Sequence, residues 1–253
     1  MPNDPASLDR AFAALKTFDY GGDAAALAPI DQAVVANHGD AAAQGDLERR
    51  LVAVLAEKPS HAALEYVCRK LSLIGTAASV PVLAPLLTDE ERSHVARLAL
   101  QRIPAPEAAA AIRGTLEKVD GDLAIGMIAS LAARRDVAAV PLLTPLLSAV
   151  PRKAVAAADA LGRIHSPEAV RALESFATGA DASLPAEVRA AVVDARLSSA
   201  EALLGEGRPS DALALYRSLA AAAAGRPADK WIELAATRGI AVCLESPPAG
   251  SAS

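Results

Sequence analysis

Apolar positions recur along this chain with two nested periods. The short one is helical. Leu64, Val67, Cys68, Leu71 and Ile74 fall at i, i+3, i+4, i+7 and i+10, which places them on one face of a helix. The long one follows the leucines that end four apolar stretches, Leu71, Leu100, Leu131 and Leu161, spaced 29, 31 and 30 residues apart. After each comes a short polar or small-residue break: "GTAAS" (75–79), "PAPE" (104–107), "ARRD" (133–136) and "RIHSPE" (163–168). A second apolar stretch then begins near Val80, Ala108, Val140 and Val170. A fixed spacing in this range predicts stacked units of two helices joined by a tight turn.

Two second stretches are near-copies: "SVPVLAPLLT" (79–88) and "AVPLLTPLLS" (139–148). With Ser79 as N-cap, Pro81 lies in the first turn, where its missing N–H costs nothing. Pro85 removes a helical hydrogen bond and presses on the carbonyl four residues earlier. The helix is therefore expected to kink or to open as a looser turn before Pro85, and likewise at Pro141 and Pro145. Ser166-Pro167-Glu168 reads as a helix start: a capping hydroxyl, a first-turn proline and an early acid that complements the dipole.

The segments "YVCRKLSLIGTAASVPVLAPLL", "LALQRIPAPEAAAAIRGTL", "IASLAARRDVAAVPLLTPLL" and "AADALGRIHSPEAVRALESF" carry a family resemblance. They are similar to HEAT repeats, in particular the short HEAT-like repeats also found in phycobilisome lyases. The whole chain resembles HEAT-repeat proteins of planctomycete-type bacteria. The last segment is nearest the usual repeat, with its Leu161-Gly162-Arg163-Ile164 ending and turn Pro167. The second departs, with "IPAPE" where a Gly-containing turn is usual. Farther on, "SAEALLGEGRPSDALALYRSLAAAAAGRP" resembles a tetratricopeptide (TPR) repeat. Gly207 stands at its turn, Ala212 and Tyr216 at the small and aromatic positions, and Pro227 at its end, while Leu219 replaces the usual alanine.

The resemblance implies an all-α, right-handed α-α superhelix, a HEAT-like solenoid. Residues 1–60 are read as an N-terminal helical cap and 61–188 as about four HEAT-like units. Residues 189–245 are read as TPR-like helices, with Trp231, Leu234 and Ala235 on the buried side of the last one. Residues 246–253, "SPPAGSAS", are read as a disordered tail.

Composition agrees with helices. Apolar residues make up 53% and aromatics 3%, and the abundant alanine has the highest helix propensity. The net charge of −5 argues against nucleic acid, whose binders usually present a basic face. No apolar run is long enough to span a membrane. The N-terminus has no secretory h-region, so a cytoplasmic protein is expected unless a leader has been trimmed.

Candidate chemistry is sparse. His38, His61, His94 and His165 lack the spacing of metal ligands and read as exposed histidines in turns or near helix starts. Cys68 and Cys243 read as core thiols. "YGGD" and "GEGRP" read as turns, not phosphate loops. Arg102, Arg134 (with Arg135) and Arg163 follow their repeat leucines by two or three residues, so stacking aligns them in a row. Such a row suits carboxylate or phosphate; it also suits simple compensation of helix C-termini. Arg113, Glu117, Arg171 and Glu174 are expected on the second helices, the concave side of HEAT arrays.

The reading is a non-catalytic scaffold that holds an unidentified protein partner, with no cofactor, no nucleic acid and no membrane insertion. The alternatives are a bilin-lyase-like enzyme, implied by the repeat resemblance, and an interaction module cut from a longer protein. A bilin pocket calls for more aromatic residues than three Phe, three Tyr and one Trp provide.

Overall fold

The computed structural model describes residues 4–179 and 184–245. The expected tail at 246–253 lies outside them. Among the described residues the chain is all α, with no strand. It divides into two compact units, the first ending at Ser130 and the second starting at Leu131.

The first unit contains α1 (Pro5–Lys16), α2 (Ala28–Ala36), α3 (Ala41–Ala56), α4 (His61–Ile74), α5 (Val80–Leu83), α6 (Ser93–Arg102), α7 (Pro106–Leu116) and the start of α8 (Gly121–Ala133). Starts are set by side chains that satisfy the orphan N–H groups of the first turn. Asp4 accepts from Ala6 and Ser7, and Asp40 from Ala42 and Ala43. Ser60 caps α4 by accepting from Ala63, and its own hydroxyl donates to the Phe18 carbonyl. The predicted face of α4 is the core face: Leu64, Val67, Cys68, Leu71 and Ile74 are all buried.

The second unit holds the end of α8, then α9 (Val140–Leu143), α10 (Pro151–Ile164), α11 (Pro167–Gly179), α12 (Ala186–Gly205), α13 (Pro209–Ala223) and α14 (Lys230–Glu245). All four repeat leucines, Leu71, Leu100, Leu131 and Leu161, are fully buried in their own units. Ser166 caps α11 through Ala169 N–H, with Pro167 next, as expected.

The proline pairs break their helices. Residues 77–88 form a 3-10 turn (Ala77–Ser79), the single turn α5 and a second 3-10 stretch (Ala84–Thr88) that contains Pro85. Residues 137–148 repeat this around α9, with 3-10 stretches Val137–Ala139 and Thr144–Ser148. Val80, Leu83 and Leu87 are buried, as are Val140, Leu143 and Leu147. The break therefore leaves the inward stripe intact.

Ser79 does not act as the expected N-cap. It is buried, and its hydroxyl donates to Glu48 Oε1 at 2.5 Å, while Thr76 takes over the capping role by accepting from Ala78 N–H. Glu48 of α3 also accepts from the Thr76 N–H at 2.7 Å and from the Thr76 hydroxyl at 2.9 Å. The buried carboxylate is thus satisfied by three donors, the condition for keeping a charge out of water.

The last helix is also turned from the expected register. Ile232, Ala236, Gly239 and Cys243 are its buried residues, whereas Trp231 and Leu234 are 49% and 62% exposed. Gly239 is the cause. A Cβ there would lie 2.4 Å from the Tyr216 ring, so only the glycine edge of α14 lets that ring of α13 come so close. Tyr216, Ala212, Leu215 and Leu219 complete this core. The boundary expected between 188 and 189 falls in the first turn of α12. Gly162 of α10 meets the backbone of Ala195 on α12 so closely that a Cβ would sit 2.8 Å from Ala195 Cα.

Candidate functional site

Two helix ends in the second unit depart from ordinary backbone geometry. α8 ends through Arg135, at φ +50, and α10 ends at His165, at φ +37. The Arg135 N–H donates to the Ala132 carbonyl, and the Asp136 N–H to the Leu131 carbonyl. These bonds close the helix end and require the left-handed residue between them. Glycine usually fills such positions, because side chains with a Cβ are strained there.

His165 contradicts the expectation of an exposed turn histidine, since only 7% of it is accessible. The left-handed turn folds the ring back over the helix end. Nδ1 lies 2.9 Å from the Arg163 carbonyl and Nε2 lies 2.8 Å from Glu206 Oε1. Both ring nitrogens thus lie within hydrogen-bond distance of an oxygen, which fixes the ring against the helix end. The bond from His165 holds the Glu206 carboxyl below the usual carboxylate range, and the charges of His165, Arg208 and Arg135 add to this.

These turns border a pocket of about 320 Å³. Arg135, Arg163, His165 and Ser198 line it, with Ala132 and Gly162 among the small residues that leave it open. Helices α10 and α12 approach closely at Gly162, which brings Ser198 to the turn residues. Arg163 lies 4.0 Å from Asp159, one turn back on its own helix, a looser approach than a hydrogen bond.

Arg163 and Arg135, the neighbour of Arg134, thus share a pocket. Arg134 is half-buried, and neither it nor Arg113 of α7 is without a partner. Arg102 is the exposed last residue of α6 in the first unit. Arg171 is exposed and pairs with Glu168 at 3.0 Å.

Glu174 does not present an open carboxylate, contrary to its expected place on a concave surface. Its Oε1 accepts from Arg196 Nε at 2.5 Å and its Oε2 from Ser218 Oγ at 2.6 Å. Arg196 is 4% exposed and also donates to Ser218 at 2.9 Å. This part-buried triad ties α11, α12 and α13 together. Sequence reading missed Arg196, because α12 mixes charged and apolar residues all round and has no distinct apolar face to mark which positions are buried.

A larger groove of about 920 Å³ lies beside the triad, lined by Phe176, Val193, Arg196, Leu219 and Trp231. In the first unit, Tyr66 donates to Asp31 Oδ1 at 2.9 Å, Lys70 pairs with Asp31, and the Lys70 ammonium sits 4.9 Å from the Tyr66 ring centroid. Burial, then the bond to Asp31, pushes the Tyr66 phenol up. Burial also pushes the Cys68 thiol up to about 12, which suits a core thiol and not a nucleophile. Among the described residues, no group of three His, Cys, Asp or Glu side chains is placed to hold a metal ion. No described helix is long and apolar enough to cross a membrane.

Comparison with known proteins adds one structural likeness. The crystal structure of an engineered protein is similar over 87% of this chain and 98% of its own length, with 20% identity and a TM-score of 0.42. No protein-family profile matches the chain, and no curated protein matches it.

Proposed function

We propose that the chain is a non-catalytic helical-repeat scaffold whose helix pairs stack as a right-handed, HEAT-like superhelix and hold a protein partner. The TPR-like helices from 189 to 245 extend the same surface. The observation that carries this reading is the repeated helix end. Successive units of the period place basic side chains at equivalent turns, and two of these turns, at Arg135 and at Arg163–His165, open onto one pocket. Arg102 holds the equivalent place at the end of α6. Equivalent positions of a repeat array form continuous surfaces, which such proteins use for binding. Guanidinium groups favour planar anionic partners, carboxylates above all.

The test is affinity capture with the purified chain against lysate of its source, beside a control carrying Arg102→Glu, Arg134→Glu and Arg163→Glu. A specific protein held by the native chain and lost by the control is expected, with crosslinks that map to the turn edge. A partner crosslinked only to surfaces away from these turns, and retained by the control, contradicts the arginine edge. Failure to hold any protein contradicts the scaffold reading.

A further inference from the structure

The geometry points to the pocket at Arg135, Arg163, His165 and Ser198 as a binding site for a single carboxylate borne by a peptide segment. The inference rests on the scaffold reading and specifies what its turn edge recognises.

The backbone is the first observation. Lys58, Arg135 and His165 are the non-glycine residues with positive φ among those described, and two of the three line this one pocket. A left-handed turn is most easily made by glycine. Holding an arginine and a histidine there, at the ends of α8 and α10, gives up backbone ease for the position of a basic side chain. Strain of this kind collects at binding sites.

Charge is the second. Arg135 makes no ion pair among the described residues. Arg163 has only the loose contact with Asp159. Glu206 is already engaged by His165 and faces Arg208 at 3.9 Å. The Arg135 and Arg163 guanidiniums are therefore the cationic groups left to an incoming anion, and their planar forks suit a carboxylate better than a compact tetrahedral phosphate.

The third is an available donor. The Ser198 hydroxyl lines the pocket and makes no hydrogen bond among the described residues, whereas the neighbouring Ser199 hydroxyl bonds back to the Ala195 carbonyl at 2.9 Å. Two guanidiniums and one hydroxyl are the donors a carboxylate takes up, with the guanidiniums suited to its planar, two-oxygen face. A volume of about 320 Å³ accommodates the carboxylate with the first atoms of its chain.

A carboxylate reaches such a pocket either on a glutamate or aspartate side chain or at a chain terminus. Four probes separate the possibilities: Ac-Ala-Glu-Ala-NH2, Ac-Ala-Ala-Ala-OH, the neutral Ac-Ala-Gln-Ala-NH2, and inorganic phosphate. Each is titrated into the 15N-labelled full chain at constant ionic strength. One or both carboxylate peptides should move the amide signals of Arg135, Arg163, His165 and Ser198 along a saturable curve, and the neutral peptide should not. Arg135→Gln with Arg163→Gln should weaken that binding about tenfold or more, the scale of two lost charge-assisted bonds. Arg49→Gln, an exposed arginine of α3 that does not line the pocket, should leave it within about twofold, the scale of a surface change away from the site.

Both exchanged arginines are at the surface, so circular dichroism is expected to stay native. Ser198→Ala, with its expected loss of affinity, supplies a second reading. An equal response to the neutral peptide, no saturable response to either carboxylate peptide, unchanged affinity in the double variant, or tighter binding of phosphate overturns the assignment. The titration needs no partner protein. Its failure removes the pocket and leaves the scaffold, while failure of the capture experiment leaves a carboxylate pocket on a chain that is not a scaffold.

Discussion

The turns that end α4 and α6 in the first unit differ from those that end α8 and α10 in the second. Gly75 and Ile103, which follow α4 and α6, both leave their helices in extended backbone, at φ −65, ψ 145 and φ −62, ψ 120. Arg135 and His165 leave theirs in the left-handed region. The glycine therefore stands where no positive φ is needed, and the positions that favour glycine carry basic side chains. Gly75 is required for space. A Cβ there would lie 2.4 Å from the Leu71 carbonyl oxygen and 2.9 Å from Ile103 Cδ1. One pair of turns is shaped by packing. The other is shaped around side chains that line a pocket.

Both kinds of turn follow helices whose period-marking leucines are fully buried, and this sets the largest expected effect. Leu71→Ala in the first unit and Leu161→Ala in the second remove fully buried leucines. Each should destabilise the protein by about 2–5 kcal/mol in urea unfolding. A loss below about 0.5 kcal/mol, the scale of a surface site, at either leucine would show that the two units are not built on one repeat.

Gly75→Ala comes next. It forces backbone and the Ile103 side chain apart, and overpacking of this sort destabilises by about 1–3 kcal/mol. A neutral result in the same unfolding assay would remove the packing explanation for the first pair of turns.

The smallest effect is electrostatic. Glu206 is held below the usual carboxylate range by His165. A carboxyl depressed in the folded state contributes stability above its unfolded pKa, and that contribution disappears as pH falls through the depressed range. Unfolding midpoints followed from neutral pH to below the carboxylate range should show this acid loss in the native chain and less of it in Glu206→Gln. Parallel pH profiles would mean that the His165–Glu206 contact holds nothing at the second pair of turns.

Much of the helical core was legible because period and burial coincide. Leu71, Leu100, Leu131 and Leu161 mark the core directly, and Pro85 and Pro145 announce the broken helices through a missing N–H. Other features depend on pairs of residues distant in sequence. Helix α14 carries two apolar stripes, one with Trp231, Leu234 and Ala235 and one with Ile232, Ala236 and Cys243, and periodicity alone does not choose between them. The choice is made by Gly239 against Tyr216. Ser79 reads as a cap until Glu48 approaches from α3. The arginine spacing pointed to Arg163 and to the Arg134–Arg135 step. The burial of His165 did not follow from it, because that depends on a left-handed turn and on Glu206, far along the chain. The available signal was the absence of glycine at two helix ends.

The central claim is that the left-handed turns are kept for binding and not for stability. Arg135→Gly tests it most directly, with unfolding free energy and carboxylate-peptide affinity measured on one preparation. Glycine relieves the turn but loosens the unfolded chain, so stability should stay within about 0.5 kcal/mol of native or rise, the range for a surface change that relieves strain. Peptide affinity should fall severalfold. Lost stability with unchanged affinity would contradict the claim and make Arg135 a structural residue of the helix end.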